Sequence, residues 1–127
     1  MSERLDVVGI GNAMVDAIIP SNRNEIEKFQ INRDSMNLID EKLKNQLHQD
    51  YTINKMIGGG SLGNSMFGIT SFGGNGSFIG KIKKDDIGMF LQKDMVREGL
   101  QFPLGFTSPD ISTGCCTIFV EEDGTRT

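Results

Sequence analysis

Three consecutive glycines, Gly58, Gly59 and Gly60, constrain this chain more than any other feature. They close the apolar run 51–57 and are followed by Ser61 and a helix-like segment, 62–72, that Gly73 and Gly74 end. Glycine accepts positive φ and lets a ligand approach bare backbone. A helix N-terminus presents unpaired N–H groups and partial positive charge. The pattern predicts a turn stripped of side chains that opens a helix and receives a hydroxyl-rich or anionic ligand. Ser61 and Asn64 would add hydrogen bonds from the first turn.

The flanking residues are those of an α/β chain. The run 5–11, Leu-Asp-Val-Val-Gly-Ile-Gly, predicts a buried strand at the start of a sheet. Ser77, Phe78, Ile79 and Gly80 form a second such strand. Asp85 or Asp86 caps the next helix, in which Ile87, Phe90, Leu91 and Met95 share a face and which Gly99 stops. Gly9 and Gly11 invite a dinucleotide-binding (Rossmann) reading. Met14, however, holds the place of the third glycine, and Pro20 ends the segment before a crossover helix forms.

Residues 12–16 follow the carboxyl end of the first strand, where open α/β sheets bind ligands. Asp16 stands among Val15, Ala17, Ile18 and Ile19, so its carboxylate must find hydrogen-bond donors. Sugar hydroxyls are suitable, since a carboxylate accepts two at once. Capping a turn or pairing with a lysine would also satisfy it.

Elsewhere the signals are local. Residues 24–30 predict a short helix capped by Asn24, Met36–Ile39 predicts a short strand, and Asp40 caps a helix through His48 with Leu43 and Leu47 on one face. Residues 102–106 predict an edge strand broken by Pro103. Residues 113–120 are β-rich and lead into a hairpin turn at Glu122-Asp123-Gly124. The sequence stops at Thr127 where a returning strand is due, so it is expected to be the front of a longer protein or to break there. Gly63 and Gly68 cost about 1 kcal/mol each inside a helix, which predicts close approach to the sheet or a ligand. Cys115 and Cys116 point to opposite faces of a strand and are expected to be small buried fillers. His48 is expected to be solvated, and no Cys/His set builds a zinc site. Lys81, Lys83 and Lys84 predict a solvated turn.

Composition removes several classes of function. At 127 residues the chain is one domain or part of one, and 37% hydrophobic with 24% charged residues is ordinary for a soluble globular protein. A net charge of −4 argues against nucleic acid or an anionic membrane as the main partner. No apolar run approaches the ~20 residues of a membrane span. The N-terminus has no signal-peptide pattern, so a cytoplasmic location is expected. Without a Gly-x-x-x-x-Gly-Lys-Ser/Thr loop the chain is not a P-loop NTPase.

Gly59-Gly60-Ser61-x-x-Asn64-Ser65, then Gly73-Gly74, then Phe78-Ile79-Gly80-Lys81-x-x-x-Asp85-Asp86-x-Gly88 resembles the first signature of the PfkB carbohydrate kinases, the family of ribokinase, fructokinases and adenosine kinase. The form is most similar to adenosine kinase and its bacterial sugar-kinase relatives, and agreement covers essentially the whole chain. The resemblance implies a ribokinase-like α/β fold: a mostly parallel sheet flanked by helices, with a small β lid from strands near 17–19, 36–38 and 113–127. It implies ATP-dependent, Mg²⁺-assisted phosphoryl transfer to the hydroxymethyl group of a sugar or nucleoside. Asn12 and Asp16 match the family's Gly-Asn-x-x-x-Asp, whose aspartate binds vicinal hydroxyls. Gly59, Gly60, Ser61 and Asn64 would hold the acceptor with them, and Met14 and Leu38 would wall its base or sugar face. Arg126, in Asp-Gly-Thr-Arg, would reach the transferred phosphate.

The family's Gly-Ala-Gly-Asp motif with its catalytic aspartate, its Asn-x-x-Glu segment and its ATP pocket are not in this sequence. The resemblance therefore implies that these residues supply the acceptor site and lid, inactive by themselves, with lid strands able to pair two subunits. Two other classes remain: a non-catalytic nucleoside-binding or dimerising module, and a dinucleotide-binding domain.

Overall fold

The computed structural model describes residues 4–127. Its elements are β1 (Val7–Ile10), β2 (Met14–Pro20), α1 (Arg23–Glu27), α2 (Glu41–Asp50), β3 (Lys55–Gly59), α3 (Ser61–Ser71), β4 (Gly76–Ile79), β5 (Ile82–Lys83), α4 (Asp86–Arg97), β6 (Phe106–Ser108) and β7 (Gly114–Val120). The chain divides into two compact units. One comprises the chain up to Val15 with Ile57–Cys115, and the other Asp16–Met56 with Cys116–Thr127.

In the first unit β1 and β4 pair in parallel, in register from Val7 opposite Gly76 to Ile10 opposite Ile79. Helix α3 approaches both strands closely. A Cβ added at Gly9 or at Gly76 would lie 2.9 Å from Met66 of that helix. Gly73 takes φ 85°, and its N–H and that of Gly74 donate to Thr70 and Ile69, so the helix ends in a Schellman motif. Asp85 caps α4 by accepting the Gly88 N–H at 2.7 Å, and Ile87, Leu91 and Met95 are buried at the expected spacing. Phe78, Ile82, Met66 and Leu100 complete this core.

Three expectations fail in this unit. The first strand is not buried: Val8 is 52% and Ile10 76% exposed, because α3 covers the face that Gly9 belongs to and no described element covers the other. Residues 102–105 form no strand; the pairing falls later, between β5 and β6, in parallel. A Cβ at Gly63 or Gly68 would meet nothing within 4 Å, so close packing does not demand glycine at either position.

Strands β3, β2 and β7 pair in that order, and residues 55–56, 16–20 and 116–120 of them belong to the second unit. Strand β2 alternates as the period of two requires: Val15, Ala17 and Ile19 are buried, while Met14, Asp16 and Ile18 are half-buried on the other face. Ile19, Ile26, Leu47 and Phe119 form a core onto which Phe29, Leu43 and Tyr51 pack. The Tyr51 and Phe119 rings meet edge to face at 5.6 Å. Asp40 caps α2 as expected, accepting the Leu43 N–H at 2.8 Å. The cap of α1 is Asn22, not Asn24, because Glu25 three residues on donates its N–H to Asn22 and returns a carboxylate to the Asn22 N–H.

Met36–Ile39 forms no strand, and Met36 and Leu38 are 85% and 93% exposed. Apolar spacing there has no neighbouring strand to act on. His48 is not simply solvated. Its Nε2 lies 2.8 Å from Thr117 Oγ1, and burial followed by the Lys44 charge lowers its pKa from the usual value. Cys115 and Cys116 are half-buried, and no disulfide joins them. The hairpin after β7 closes as expected, with Gly124 at φ 86° and Phe119 and Thr127 exchanging two backbone hydrogen bonds. Among the described residues no helix is long and apolar enough to cross a membrane.

Candidate functional site

The glycine turn is built as its composition demands. Strand β3 ends at Gly59, and Gly60 takes φ 79°, ψ 155°, a conformation that a side chain would strain. Gly60, rather than Ser61, is the N-cap of α3. Its carbonyl accepts the Asn64 N–H at 3.0 Å, and no side chain caps the first turn. The N–H groups there are left to water or a ligand. Ser61 and Asn64 both stand exposed on this turn. Asn12 and Met14 adjoin it: a Cβ on Gly60 would lie 3.6 Å from the Asn12 carbonyl oxygen and 3.6 Å from Met14 Cβ. Asn12, Met14, Gly59, Gly60, Ser61 and Asn64 are thus neighbours within the first unit.

The second half of the motif is structural. Asp85 Oδ1 accepts from Gly88 N–H and from Thr113 Oγ1, both at 2.7 Å, and Asp85 Oδ2 accepts from Thr113 N–H at 3.0 Å. Thr113, almost wholly buried, also accepts the Lys83 N–H at 3.0 Å. Any Cβ at Gly88 would overlap the Lys83 carbonyl oxygen. The Asp-x-x-Gly spacing therefore clamps the start of α4 to the segments around Lys83 and Thr113. Lys83 contributes further through its Nζ, which donates to the Asp110 carbonyl at 3.4 Å.

Asp16 belongs to the second unit, on the half-open face of its sheet. Among the described residues its carboxylate accepts no hydrogen bond and joins no ion pair, and burial raises its pKa above the usual carboxylate value. Neither a turn cap nor a lysine partner satisfies it. The nearby Cys116 thiol is pushed up, first by burial and then by the Asp16 charge. The expected apolar wall at Leu38 is absent, since that side chain lies in solvent. Arg126 is exposed on the hairpin, its backbone paired with Val120.

Two polar groups escaped the sequence. Arg33 Nε donates to both oxygens of the buried Glu121, at 2.8 and 3.1 Å, and its Nη2 lies 3.4 Å from Asp123. With Asp34 N–H donating to Thr127 Oγ1 at 3.0 Å, this fastens the turn at 33–34 to the hairpin. Asp94, on α4, is buried and accepts the Gly58 N–H. No local pattern marks pairs 88 and 36 residues apart.

Comparison with solved structures decides the fold. A probable sugar kinase from Rhizobium etli CFN 42 matches with a TM-score of 0.80 and 32% identity, over 97% of this chain and 37% of its own. An adenosine kinase from Sinorhizobium meliloti matches with a TM-score of 0.80 and 32% identity, over 98% of this chain and 38% of its own. The fold is ribokinase-like, and the relatives that share it are kinases of the PfkB type. The ribokinase-like fold is also shared with adenosine kinase from Schistosoma mansoni, at a TM-score of 0.75 and 20% identity over 94% of this chain and 36% of that one. The chain thus spans little more than a third of the length of these structures. No protein-family model and no curated protein sequence matches it. The dinucleotide-binding alternative falls, because Gly11 leads through a short connection into strand β2 and not into a helix.

Proposed function

We propose that this chain supplies the acceptor-binding part of an ATP-dependent PfkB-type kinase that phosphorylates the hydroxymethyl group of a nucleoside or sugar, with adenosine the first acceptor to test. The observation that carries the reading is Asp16: a half-buried carboxylate with no protein donor, on the half-open face of its sheet. With no protein donor to displace, a pair of vicinal hydroxyls can supply both hydrogen bonds that such a carboxylate accepts. Asn12 and the uncapped first turn of α3 at Gly59, Gly60 and Ser61 offer a second set of polar groups, with Asn64 beside them.

In this reading Asp16 orients the acceptor by its hydroxyls, the glycine turn admits it without side-chain obstruction, and Met14 packs on its apolar face. Arg126 approaches the transferred phosphate from the hairpin. The strands near 17–19 and 113–127 supply the lid, the protein acts in the cytoplasm, and the lid strands offer a surface for a second copy. ATP and Mg²⁺ enter from the kinase resemblance. Among the described residues no three His, Cys, Asp or Glu side chains gather to hold an ion, so no step is drawn through it.

The test is phosphoryl transfer by the full-length protein, followed as ADP release with adenosine, ribose and fructose in turn. Turnover with one acceptor that Asp16→Ala abolishes supports the reading. Absence of turnover and of binding with all three contradicts it.

A further inference from the structure

The glycine turn is held from behind by a side chain on another element. Asp94 of α4 is only 7% exposed, and its Oδ2 accepts the Gly58 N–H at 3.0 Å. Its other oxygen, Oδ1, pairs with Arg97 Nη2, one turn along the same helix and largely in solvent. Phe67 of α3 closes in beside Gly58. A Cβ at Gly58 would lie 2.9 Å from the Phe67 ring and 2.9 Å from Asp94 Oδ2. A side chain at Gly58 would therefore collide both with the helix that follows the turn and with a carboxylate 36 residues away.

We infer that Asp94 is a positioning residue for acceptor binding: through Gly58 it fixes the height at which Gly59, Gly60 and Ser61 meet the acceptor. The inference rests on the proposed acceptor role of that turn. A hydrogen bond to an ionised oxygen is short and directional, and a buried N–H that loses its acceptor must turn to find water. Because Gly58 runs directly into Gly59, Gly60 and α3, such a turn shifts the residues that meet the acceptor. Arg97 is the counter-charge at the other carboxylate oxygen.

Steady-state kinetics of the full-length protein test this with Asp94→Ala and Asp94→Asn, using adenosine as acceptor. Asp94→Ala is expected to raise the KM for adenosine about tenfold, the equivalent of one charge-assisted hydrogen bond, with the KM for ATP unchanged. Asp94→Asn keeps an oxygen acceptor and should restore most of the parental value. A purely structural role would lower the amount of active enzyme and leave both KM values where they were. An unchanged adenosine KM in folded Asp94→Ala overturns the inference, as does an Asp94→Asn variant no better than alanine. Should Asp94→Ala not fold, amide exchange in the parent and in Asp94→Asn decides: the Gly58 amide should be protected in both, and an amide exchanging as freely as an exposed one overturns it. A parent protein inert toward every acceptor overturns the acceptor reading itself, and is distinct from active enzymes that do not differ.

Discussion

Replacing Asp85 by alanine tests whether the second half of the glycine motif is a clamp. The substitution removes the cap of α4, worth about 1 kcal/mol. It also strips the buried Thr113 N–H of its acceptor at 3.0 Å and leaves the hydroxyl only the Lys83 carbonyl, at 3.4 Å, an orphaning that costs about 1–3 kcal/mol. Together these predict a loss of about 2–4 kcal/mol. In urea, with a slope near 2 kcal/mol per molar, that moves the unfolding midpoint down by roughly 1–2 M. Asp85→Asn separates the two parts. Asparagine caps as well as aspartate, but it presents an amide NH₂ where the Thr113 N–H needs an oxygen, so its midpoint should fall about half as far. Equilibrium unfolding followed by circular dichroism reads both. An alanine variant within about 0.5 kcal/mol of the parent, the range of an ordinary surface change, refutes the reasoning. So does an asparagine variant equal to alanine.

The other predictions concern single sites. Gly68→Ala fills open space in the middle of α3 and should stabilise the protein by about 0.5–1 kcal/mol; a lower thermal midpoint would show that the helix does press on something there. His48 has a folded pKa below the usual 6.5, lowered first by burial and then by the Lys44 charge. On acidification the unfolded chain takes the proton first, so stability is full above pH 6.5 and falls below it towards the folded pKa. His48→Gln should flatten that part of the stability–pH curve, and a curve of unchanged slope contradicts the burial argument. Asp16 has the opposite sense for an acid. Its raised pKa means that the charged form strains the fold at neutral pH, so Asp16→Asn should raise the thermal midpoint at pH 7 and change it little well below the usual 3.8. A lower midpoint at pH 7 would reveal a donor to Asp16.

Much of the fold was legible because its signals are local. Asp40 and Asp85 cap helices within three residues of the N–H they satisfy, Gly73 and Gly99 stop helices, and the Glu122-Asp123-Gly124 turn closes a hairpin. Local competition defeated the Asn24 reading: Asn24 also has a glutamate three residues on, Glu27, but that carboxylate pairs with Arg23, and the reciprocal cap forms between Asn22 and Glu25. Met36–Ile39 has an apolar composition that suits a strand, but strand formation needs a partner, and none pairs with it. The exposed face of β1 failed for the same kind of reason: burial is decided by what covers a face, which the face's own residues do not state. In the candidate site, Gly60 and Asp16 could be named because each is chemically anomalous where it stands. Asp94 and Arg33 could not, because their partners, Gly58 and Glu121, are brought to them by the fold alone.

The most direct measurement is calorimetric titration of adenosine into the full-length protein and into Asp16→Asn at pH 7. Losing the charged acceptor of two hydroxyl hydrogen bonds should weaken binding at least about tenfold, since each such bond is worth about 1.5–3 kcal/mol, while the variant stays folded. Equal affinity in the two proteins, for adenosine and for ribose and fructose alike, would remove Asp16 from the site and the account with it.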